Sequence, residues 1–268
     1  LGDVYKRQVY VSVQYRLGLF GFNNLPALAD GNKKEQSGNF GFLDQAAALD
    51  WVRENIKEFG GDAKNITVSG FSAGGRDVMA MLISPVFKNK FDKAISFSGG
   101  LTVADAAKSQ KTIAQKLAPM VVEDGKQNNL INAENWLLSD NGKDKKAVRQ
   151  YLQAIPAERL APVMAGAVIR MSAFPHLYGD GEVLPVEGFA TKHYYSVPLL
   201  MLASADEFSS FAARDPFFKD RLGLINNDYK TTSEFKFANK YGSALYGFFN
   251  GQQSAEVLYP HYKADMYV

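Results

Sequence analysis

The chain has 268 residues, of which 46% are hydrophobic and 22% charged, a composition that is ordinary for one soluble globular fold. Its formal net charge of +2 is too small to indicate binding to nucleic acid or to an anionic membrane. The absence of cysteine excludes disulfides, thiol nucleophiles and zinc–thiolate sites. No apolar run reaches the roughly 18–20 residues that a membrane-spanning helix needs.

The first hundred residues alternate between strand and helix patterns. Residues 9–15 are β-branched and aromatic, which predicts a strand buried on both faces. Apolar residues then recur at helical spacing from 43 to 59, and Gly60 is expected to end that helix. Strands are predicted at 66–69 and 93–97, with a helix at about 72–82 between them. This alternation predicts an α/β fold with a mostly parallel, doubly wound central sheet.

The second half of the chain begins with a change of character. From about 103 to 190, alanine, lysine and glutamine dominate and helical periods appear, at 104–117 and 145–155. We interpret this stretch as a helical insertion beside the sheet, within a single domain of residues 1–268. A further strand is predicted at 197–203, then a helix at 240–249 and a last strand at 265–268.

Both ends of the chain are typical of a fragment. The chain begins without methionine close to a predicted strand and stops inside another, so we expect the fold to be truncated at both ends. Residues 3–8 resemble the in-frame translation of a common transposon-based sequencing adapter, which leads to the hypothesis that they are an assembly artefact. Without the true N-terminus the compartment stays open, and a secreted or periplasmic location remains among the alternatives.

The pentapeptide Gly70-Phe71-Ser72-Ala73-Gly74 matches G-x-S-x-G, the pattern of a nucleophile elbow. Such a serine lies on a strained turn between a buried strand and a helix, and small neighbours let the two backbones approach. The helix N-terminus favours a developing oxyanion, and the Ala73 backbone N–H is its natural donor. The alternative is a glycine-rich turn without chemistry. The pattern therefore predicts Ser72 as the nucleophile of an acyl transfer.

Residues 59–74 (FGGDAKNITVSGFSAG) resemble the signature of the type-B carboxylesterase/cholinesterase family throughout. Three further stretches resemble motifs of the same family: residues 15–18 (YRLG), 38–45 (GNFGFLDQ) and 94–99 (AISFSG). The resemblance implies the α/β-hydrolase fold and a serine carboxylesterase that acts on small-molecule esters through an acyl-enzyme, with no metal or organic cofactor. It also implies Ser98 as a supporting polar residue. Phe71 departs from the family, which usually has glutamate there, so the polar network beneath the site must differ.

The family implies a glutamate as the acid of a Ser–acid–His triad. In this fold the acid follows a strand at the carboxyl end of the sheet. Residues 204–208 follow the predicted strand and are similar to the family's Asp-Glu-Gly stretch, which identifies Glu207 as the acid and Asp206 as its competitor. Two surface carboxylates without a catalytic role are the alternative. Phe208 stands where the family has glycine.

The three histidines do not complete the triad. His176 and His193 precede the acid, which is the wrong order for this fold, and His261 lies before the last strand, across the sheet from the elbow. By analogy with the family, the catalytic histidine lies outside this chain, and so does the glycine-rich loop with the second oxyanion donor. We therefore predict an inactive fragment of an active esterase.

Other functions remain open at this point. One is a non-catalytic, cholinesterase-like interaction protein, which the retained Ser72 argues against. Another is a lipase or peptidase on the same fold. Phenylalanines near the acid could shape an acyl pocket or belong to the core; they are Phe208, Phe211, Phe217 and Phe248. The sequence does not indicate the oligomeric state.

Overall fold

A computed structural model describes residues 2–3, 7–164, 175–213, 215, 217–218, 230 and 232–268. The chain divides into two compact units. The first unit comprises Leu1–Ile66, Ile83–Lys90 and Thr102–Thr191, and the second comprises Thr67–Leu82, Phe91–Leu101 and Lys192–Val268. Of the segment 3–8, for which an artefact is hypothesised, residues 4–6 lie outside the described residues.

Four strands and seven longer helices give the described residues their framework. The strands are β1 (Thr67–Phe71), β2 (Lys93–Phe97), β3 (Leu199–Leu202) and β4 (Met266–Tyr267). The helices are α1 (Phe40–Asn55), α2 (Ala73–Met81), α3 (Ala106–Glu123), α4 (Leu130–Leu137), α5 (Gly142–Ala154), α6 (Ser233–Gly247) and α7 (Gln253–Leu258).

Shorter elements connect this framework. Single helical turns lie at Gly18–Gly21, Lys33–Gln36, Ala157–Leu160 and Ser209–Ala212. Turns of 3₁₀ type lie at Pro26–Leu28, Ile56–Phe59, Pro85–Phe87, Ala161–Met164 and Gly188–Ala190. A π-helical turn, Phe248–Gln252, joins α6 to α7. Two-residue strands pair Gly2–Asp3 with Gln8–Val9 and Ala104–Asp105 with Tyr178–Gly179.

The second unit contains a parallel sheet with the strand order β1-β2-β3-β4. The register aligns Thr67 with Lys93 and Ala94 with Leu199, and the side chains of Ala94 and Leu199 are buried. Because neighbouring strands are parallel, their C-terminal ends meet at one edge, which we call the carboxyl edge; the opposite one is the amino edge. The structure confirms the predicted α/β class and the strands predicted at 66–69, 93–97, 197–203 and 265–268.

The helices of the first unit follow the apolar pattern of the sequence. Helix α1 continues through the 3₁₀ turn to Phe59, and Gly60 ends it with φ 81°, as predicted. Between about 103 and 190, helices α3 and α5 coincide with the helical periods predicted at 104–117 and 145–155, and they bury residues such as Leu117 and Val148. That residues 1–268 form a single domain stays a prediction.

The strand predicted at residues 9–15 is wrong. Regular pairing stops at Val9, and the Tyr10 side chain is 70% exposed. β-branched residues favour a β-strand only where a neighbouring strand and a packed face are available. Among the described residues, no strand pairs with residues 10–15. Instead Val11 and Val13 line a groove of about 380 Å³ beside Trp51 of α1.

Candidate active site

Ser72 lies on a strained turn between β1 and α2. Its backbone has φ 55° and ψ −110°, a region that costs energy for any residue with a side chain. Two backbone bonds hold it there. The Ser72 N–H donates to the Phe97 carbonyl oxygen at 2.8 Å, and the Arg76 N–H donates to the Ser72 carbonyl oxygen at 3.0 Å. The half-buried serine is therefore fixed by the neighbouring strand and by the first turn of its own helix.

The glycines of the elbow differ in how much space a side chain at their position would have. A Cβ on Gly70 would lie 2.2 Å from the Gly74 carbonyl oxygen, so only glycine fits at this position. A Cβ on Gly75 would lie 2.7 Å from the Phe97 carbonyl oxygen and 2.9 Å from the Gly99 Cα. A Cβ on Gly74 would meet no atom within 4 Å. The close approach of neighbouring backbone atoms therefore requires glycine at positions 70 and 75. At position 74, packing in the described part of the chain does not require glycine.

The backbone N–H of Ala73 lies at the electropositive end of α2. Helix α2 begins at Ala73, directly after Ser72 as its N-cap residue. The first N–H groups of a helix have no acceptor within the helix, and their aligned dipoles give this end a partial positive charge. An oxyanion next to Ser72 would therefore meet a preoriented donor.

Ser98 and Glu207 meet at the same carboxyl edge. Ser98 follows β2 and its Oγ donates a hydrogen bond to Glu207 Oε1 across 109 positions of sequence. The Ser204 N–H donates to the same oxygen at 2.8 Å. Ser98 itself has φ 54°, and its N–H donates to the Leu202 carbonyl oxygen at 2.6 Å. The loops after β2 and β3 are thus joined through the half-buried carboxylate of Glu207.

Asp206 faces a different partner from Glu207. Its side chain is exposed, and its Oδ1 accepts a hydrogen bond from Asn239 Nδ2 on α6. Glu207, in contrast, contacts the serine that follows β2. The two carboxylates thus bond to different elements, and the assignment of Glu207 as the acid stays a prediction.

Comparison with known proteins identifies the family of the chain. The model of the carboxylesterase family matches residues 4–266. The chain belongs to the carboxylesterase family. It is 44% identical over 210 residues to liver carboxylesterase 1 of Oryctolagus cuniculus, covering 77% of this chain and 35% of that protein. It is 42% identical over 131 residues to para-nitrobenzyl esterase of Bacillus subtilis, covering 48% of this chain and 26% of that protein.

Solved structures of this family share the α/β-hydrolase fold with the chain. A structure of PNB esterase superposes with a TM-score of 0.57 at 27% identity, covering 94% of this chain and 51% of that one. A second gives a TM-score of 0.55 at 26% identity. The chain thus spans about half of these structures, and between 19% and 36% of the length of eight curated esterases among its relatives.

Two side chains close to Ser72 in the sequence have an unusual burial for their type. The Phe71 ring, at the position of the usual glutamate, is 67% exposed and so contributes little to the core. Arg76 is only 6% exposed, and its Nε donates to the Gly99 carbonyl oxygen at 3.1 Å. Sequence reasoning missed Arg76. Its signal is a charged residue two positions before the apolar run 78–83.

Two of the three histidines belong to the second unit and precede its strands in the chain. His261 is exposed and precedes β4, and the Tyr262 hydroxyl donates to the Val197 carbonyl oxygen at 2.6 Å, before β3 begins. Burial raises the pKa of Tyr262 to about 12, so this donor stays protonated. His193 also precedes β3. The contact of Tyr262 with Val197 therefore lies on the amino side of β3, next to His261 in the sequence. His176 is buried in the first unit.

Metal ligands and membrane spans are not found in the described part of the chain. There, no three residues among His, Cys, Asp and Glu are grouped so that they could hold a metal ion. Nor is any described helix long and apolar enough to cross a bilayer. The absence of a cofactor, implied by the resemblance, stays a prediction.

Proposed function

We propose that the whole protein is a serine carboxylesterase that hydrolyses small-molecule esters through an acyl-enzyme on Ser72. The observation that carries the proposal is the strained backbone of Ser72 at the N-terminus of α2. The bond between Ser98 and Glu207 at the same edge of the sheet supports it. Membership of the carboxylesterase family and relatives named as esterases support ester hydrolysis.

In the proposed reaction, Ser72 Oγ attacks the ester carbonyl carbon while a histidine accepts its proton. The carboxylate of Glu207 orients the imidazole and stabilises the imidazolium. The N–H of Ala73 donates to the oxyanion of the tetrahedral intermediate. The C–O bond to the alcohol then breaks, and the alcohol leaves with the proton from histidine. Water attacks the acyl-enzyme by the same route and releases the acid and free Ser72.

The 268-residue chain by itself is proposed to be inactive. Two of its three histidines precede the proposed acid and the third precedes the last strand, so we assign none of them as the base. Loss of the histidine base costs about a million-fold in kcat in a serine protease with the same triad chemistry. Lack of a second oxyanion donor would cost a further 2.7–4 kcal/mol, roughly, of transition-state stabilisation. We therefore expect no Ser72-dependent hydrolysis of p-nitrophenyl butyrate by the isolated chain, and rapid hydrolysis by the protein from the complete gene.

Replacement of Ser72 in the complete protein tests the proposal directly. Ser72→Ala should lower kcat for p-nitrophenyl butyrate by about a million-fold, to background, because no nucleophile remains. A fluorophosphonate probe should label the wild type at Ser72 and leave Ser72→Ala unlabelled. Ser69→Ala, at an exposed serine on β1, is the matched control and should behave like the wild type. Hydrolysis that survives Ser72→Ala would overturn the proposal.

The same experiment separates the alternatives. A non-catalytic interaction protein would neither hydrolyse the ester nor react with the probe. A peptidase on the same fold would react with the probe but would cleave an amide substrate faster than the matching ester. A lipase would prefer long-chain, aggregated esters over p-nitrophenyl butyrate.

A further inference from the structure

The loop that carries Glu207 is attached to one helix on both sides of the glutamate. Before it, Asp206 Oδ1 accepts a hydrogen bond from Asn239 Nδ2. After it, the Phe208 N–H donates to Ser243 Oγ at 2.9 Å. Asn239 and Ser243 are four positions apart on α6 and share one face, where Ser243 Oγ donates to Asn239 Oδ1 at 3.4 Å. Ser243 is buried, so its hydroxyl is shielded from water.

Between these two anchors, the Phe208 ring lies against the backbone of α6. A Cβ on Gly242 would lie 2.4 Å from both Cγ and Cδ1 of Phe208, and 3.0 Å from its Cβ. Glycine weakens the middle of a helix, yet this contact leaves no room for any side chain. On its other sides Phe208 approaches the rings of Phe211 and Tyr246, with centroids 6.0 and 6.3 Å away.

We propose that Asn239, Gly242 and Ser243 form a clamp that positions Glu207 for catalysis. The inference rests on the function proposed above, in which Glu207 is the acid. Ser98 and Ser204 hold only the carboxylate end of a flexible side chain. The clamp fixes the backbone on either side of it, so both ends of the glutamate are defined. The three clamp residues are positioning residues, because they act through Asp206 and Phe208.

The clamp also accounts for a departure from the family pattern. Where the family has glycine after the acid, this chain has Phe208, and on α6 it has Gly242 opposite that ring. The backbone of Phe208 has φ −90°, so glycine is not needed there. The space that a side chain at position 242 would need is instead filled by the ring, which anchors the acid loop.

Paired glycine substitutions on α6 test the clamp in the protein from the complete gene. Gly242→Ala should displace Phe208, and a displacement of about 1 Å can lower a rate by up to about 100-fold. We expect kcat for p-nitrophenyl butyrate to fall at least about 10-fold, because displacement of a catalytic group lowers the rate of the chemical step, and we expect little change in KM. Gly247→Ala is the matched control, because its Cβ would lie 4.0 Å from the Ala203 Cβ, an ordinary contact.

Rescue distinguishes positioning from a general loss of structure. Adding Phe208→Gly to Gly242→Ala removes the clash with the new methyl, so the N–H of residue 208 can bond to Ser243 again, and kcat should recover in part while the anchoring contact of the ring stays lost. Ser243→Ala should lower kcat as well, whereas Ser243→Thr, which keeps a hydroxyl, should lower it less. Ser243→Ala decides the question if Gly242→Ala does not fold. Wild-type kcat in a folded Gly242→Ala or Ser243→Ala variant would overturn the clamp while leaving the proposed function intact.

Amide hydrogen exchange gives a readout that does not depend on activity. In the wild type and in Gly247→Ala, the Phe208 N–H should exchange slowly, and in Ser243→Ala it should exchange at least 10-fold faster, roughly the effect of freeing a bonded amide. Rapid exchange of this N–H in the wild type would overturn the clamp. If the wild type neither hydrolyses the ester nor reacts with the probe, the proposed function fails, and exchange still decides whether α6 holds the loop.

Discussion

Ser98 Oγ donates a hydrogen bond to Glu207 Oε1, and this bond joins the loops that follow two neighbouring strands of the sheet. The same oxygen also accepts from the Ser204 N–H. With Oε1 engaged by two donors, we expect Oε2 to accept from the imidazole of the proposed triad. The backbone of Ser98 has φ 54°, a strained value that places its hydroxyl at the acid.

Two substitutions of Ser98 should separate the effect of its strained backbone on stability from the effect of its hydroxyl on activity. Both Ser98→Ala and Ser98→Gly remove the bond to Glu207 and should lower kcat about 10-fold, the order of effect expected when a group that orients the base is loosened. Glycine tolerates a positive φ, so Ser98→Gly should be more stable than Ser98→Ala by about 1 kcal/mol. Ester hydrolysis and urea unfolding measure the two effects.

The control for Ser98 is Ser204→Ala. Ser204 reaches Glu207 through its backbone N–H, so loss of its exposed hydroxyl should change neither kcat nor stability. Full activity of Ser98→Gly would show that Glu207 does not need the Ser98 hydroxyl.

The elbow glycines lead to a second prediction, which concerns stability alone. Gly70→Ala places a Cβ 2.2 Å from the Gly74 carbonyl oxygen and should lower the free energy of unfolding by at least the roughly 1–3 kcal/mol typical of overpacking. Gly74→Ala meets no atom within 4 Å in a helical position and should raise it by about 0.5–1 kcal/mol. Urea unfolding of the 268-residue chain measures both. Equal losses in the two variants would contradict the contacts of the elbow.

The sequence predicts the elbow well because its determinants are local. β1, Ser72 and the start of α2 occupy a dozen consecutive residues, and the glycines that the turn needs lie among them. Glu207 is proposed as the acid because the fold places an acid after a defined strand, and that assignment stays a prediction. The role of Gly74 was not predictable in the same way, since only the structure distinguishes the crowded position 75 from the open position 74.

Other features depend on contacts that no local pattern reveals. Residues 10–15 have strand composition, but a strand also requires a partner, and among the described residues none pairs with them. The bonds from α6 to the Glu207 loop cross 33 and 35 positions of sequence. Arg76 is buried because its acceptor lies after the next strand, at Gly99. All three features depend on which elements pack together in the folded chain.

Arg76 provides a third prediction. Its buried Nε donates to the Gly99 carbonyl oxygen, next to Ser98. Arg76→Lys keeps the charge but loses the planar donor, and an unsatisfied buried acceptor costs about 1–3 kcal/mol of stability. Arg149→Lys is the matched control, because Arg149 Nε also donates to a carbonyl oxygen, that of Ala27, at 2.9 Å but from a partly exposed side chain.

The two arginine variants should therefore differ in size of effect. Urea unfolding should show a loss of at least about 1 kcal/mol for Arg76→Lys and a smaller one for Arg149→Lys, since water replaces the lost donor at the exposed site. An equal or larger loss for Arg149→Lys would contradict the importance of burial at Arg76.

The fourth prediction concerns Arg16 and Asp44 of the first unit, which belong to two of the stretches that resemble the family. Arg16 Nε donates to Asp44 Oδ2 at 2.8 Å and Arg16 Nη2 to Oδ1 at 2.6 Å. These bonds lower the pKa of Asp44 below its ordinary value. A lowered pKa in the folded state stabilises the fold above the unfolded carboxyl pKa of about 3.9, and this contribution is lost as the pH falls through the folded value.

Asp44→Asn should remove this contribution. The gap in unfolding free energy between the wild type and Asp44→Asn should be constant from pH 7 to pH 5, roughly, and should shrink below about pH 4. Because the Arg16 side chain is 54% exposed, the gap should not exceed about 1 kcal/mol. Salt at 1 M, which shortens the screening length to about 3 Å, should narrow it. A gap that persists unchanged at pH 2.5, about 1.4 units below the unfolded pKa, would mean that Asp44 stabilises the fold through its shape and neutral hydrogen bonds instead of its charge.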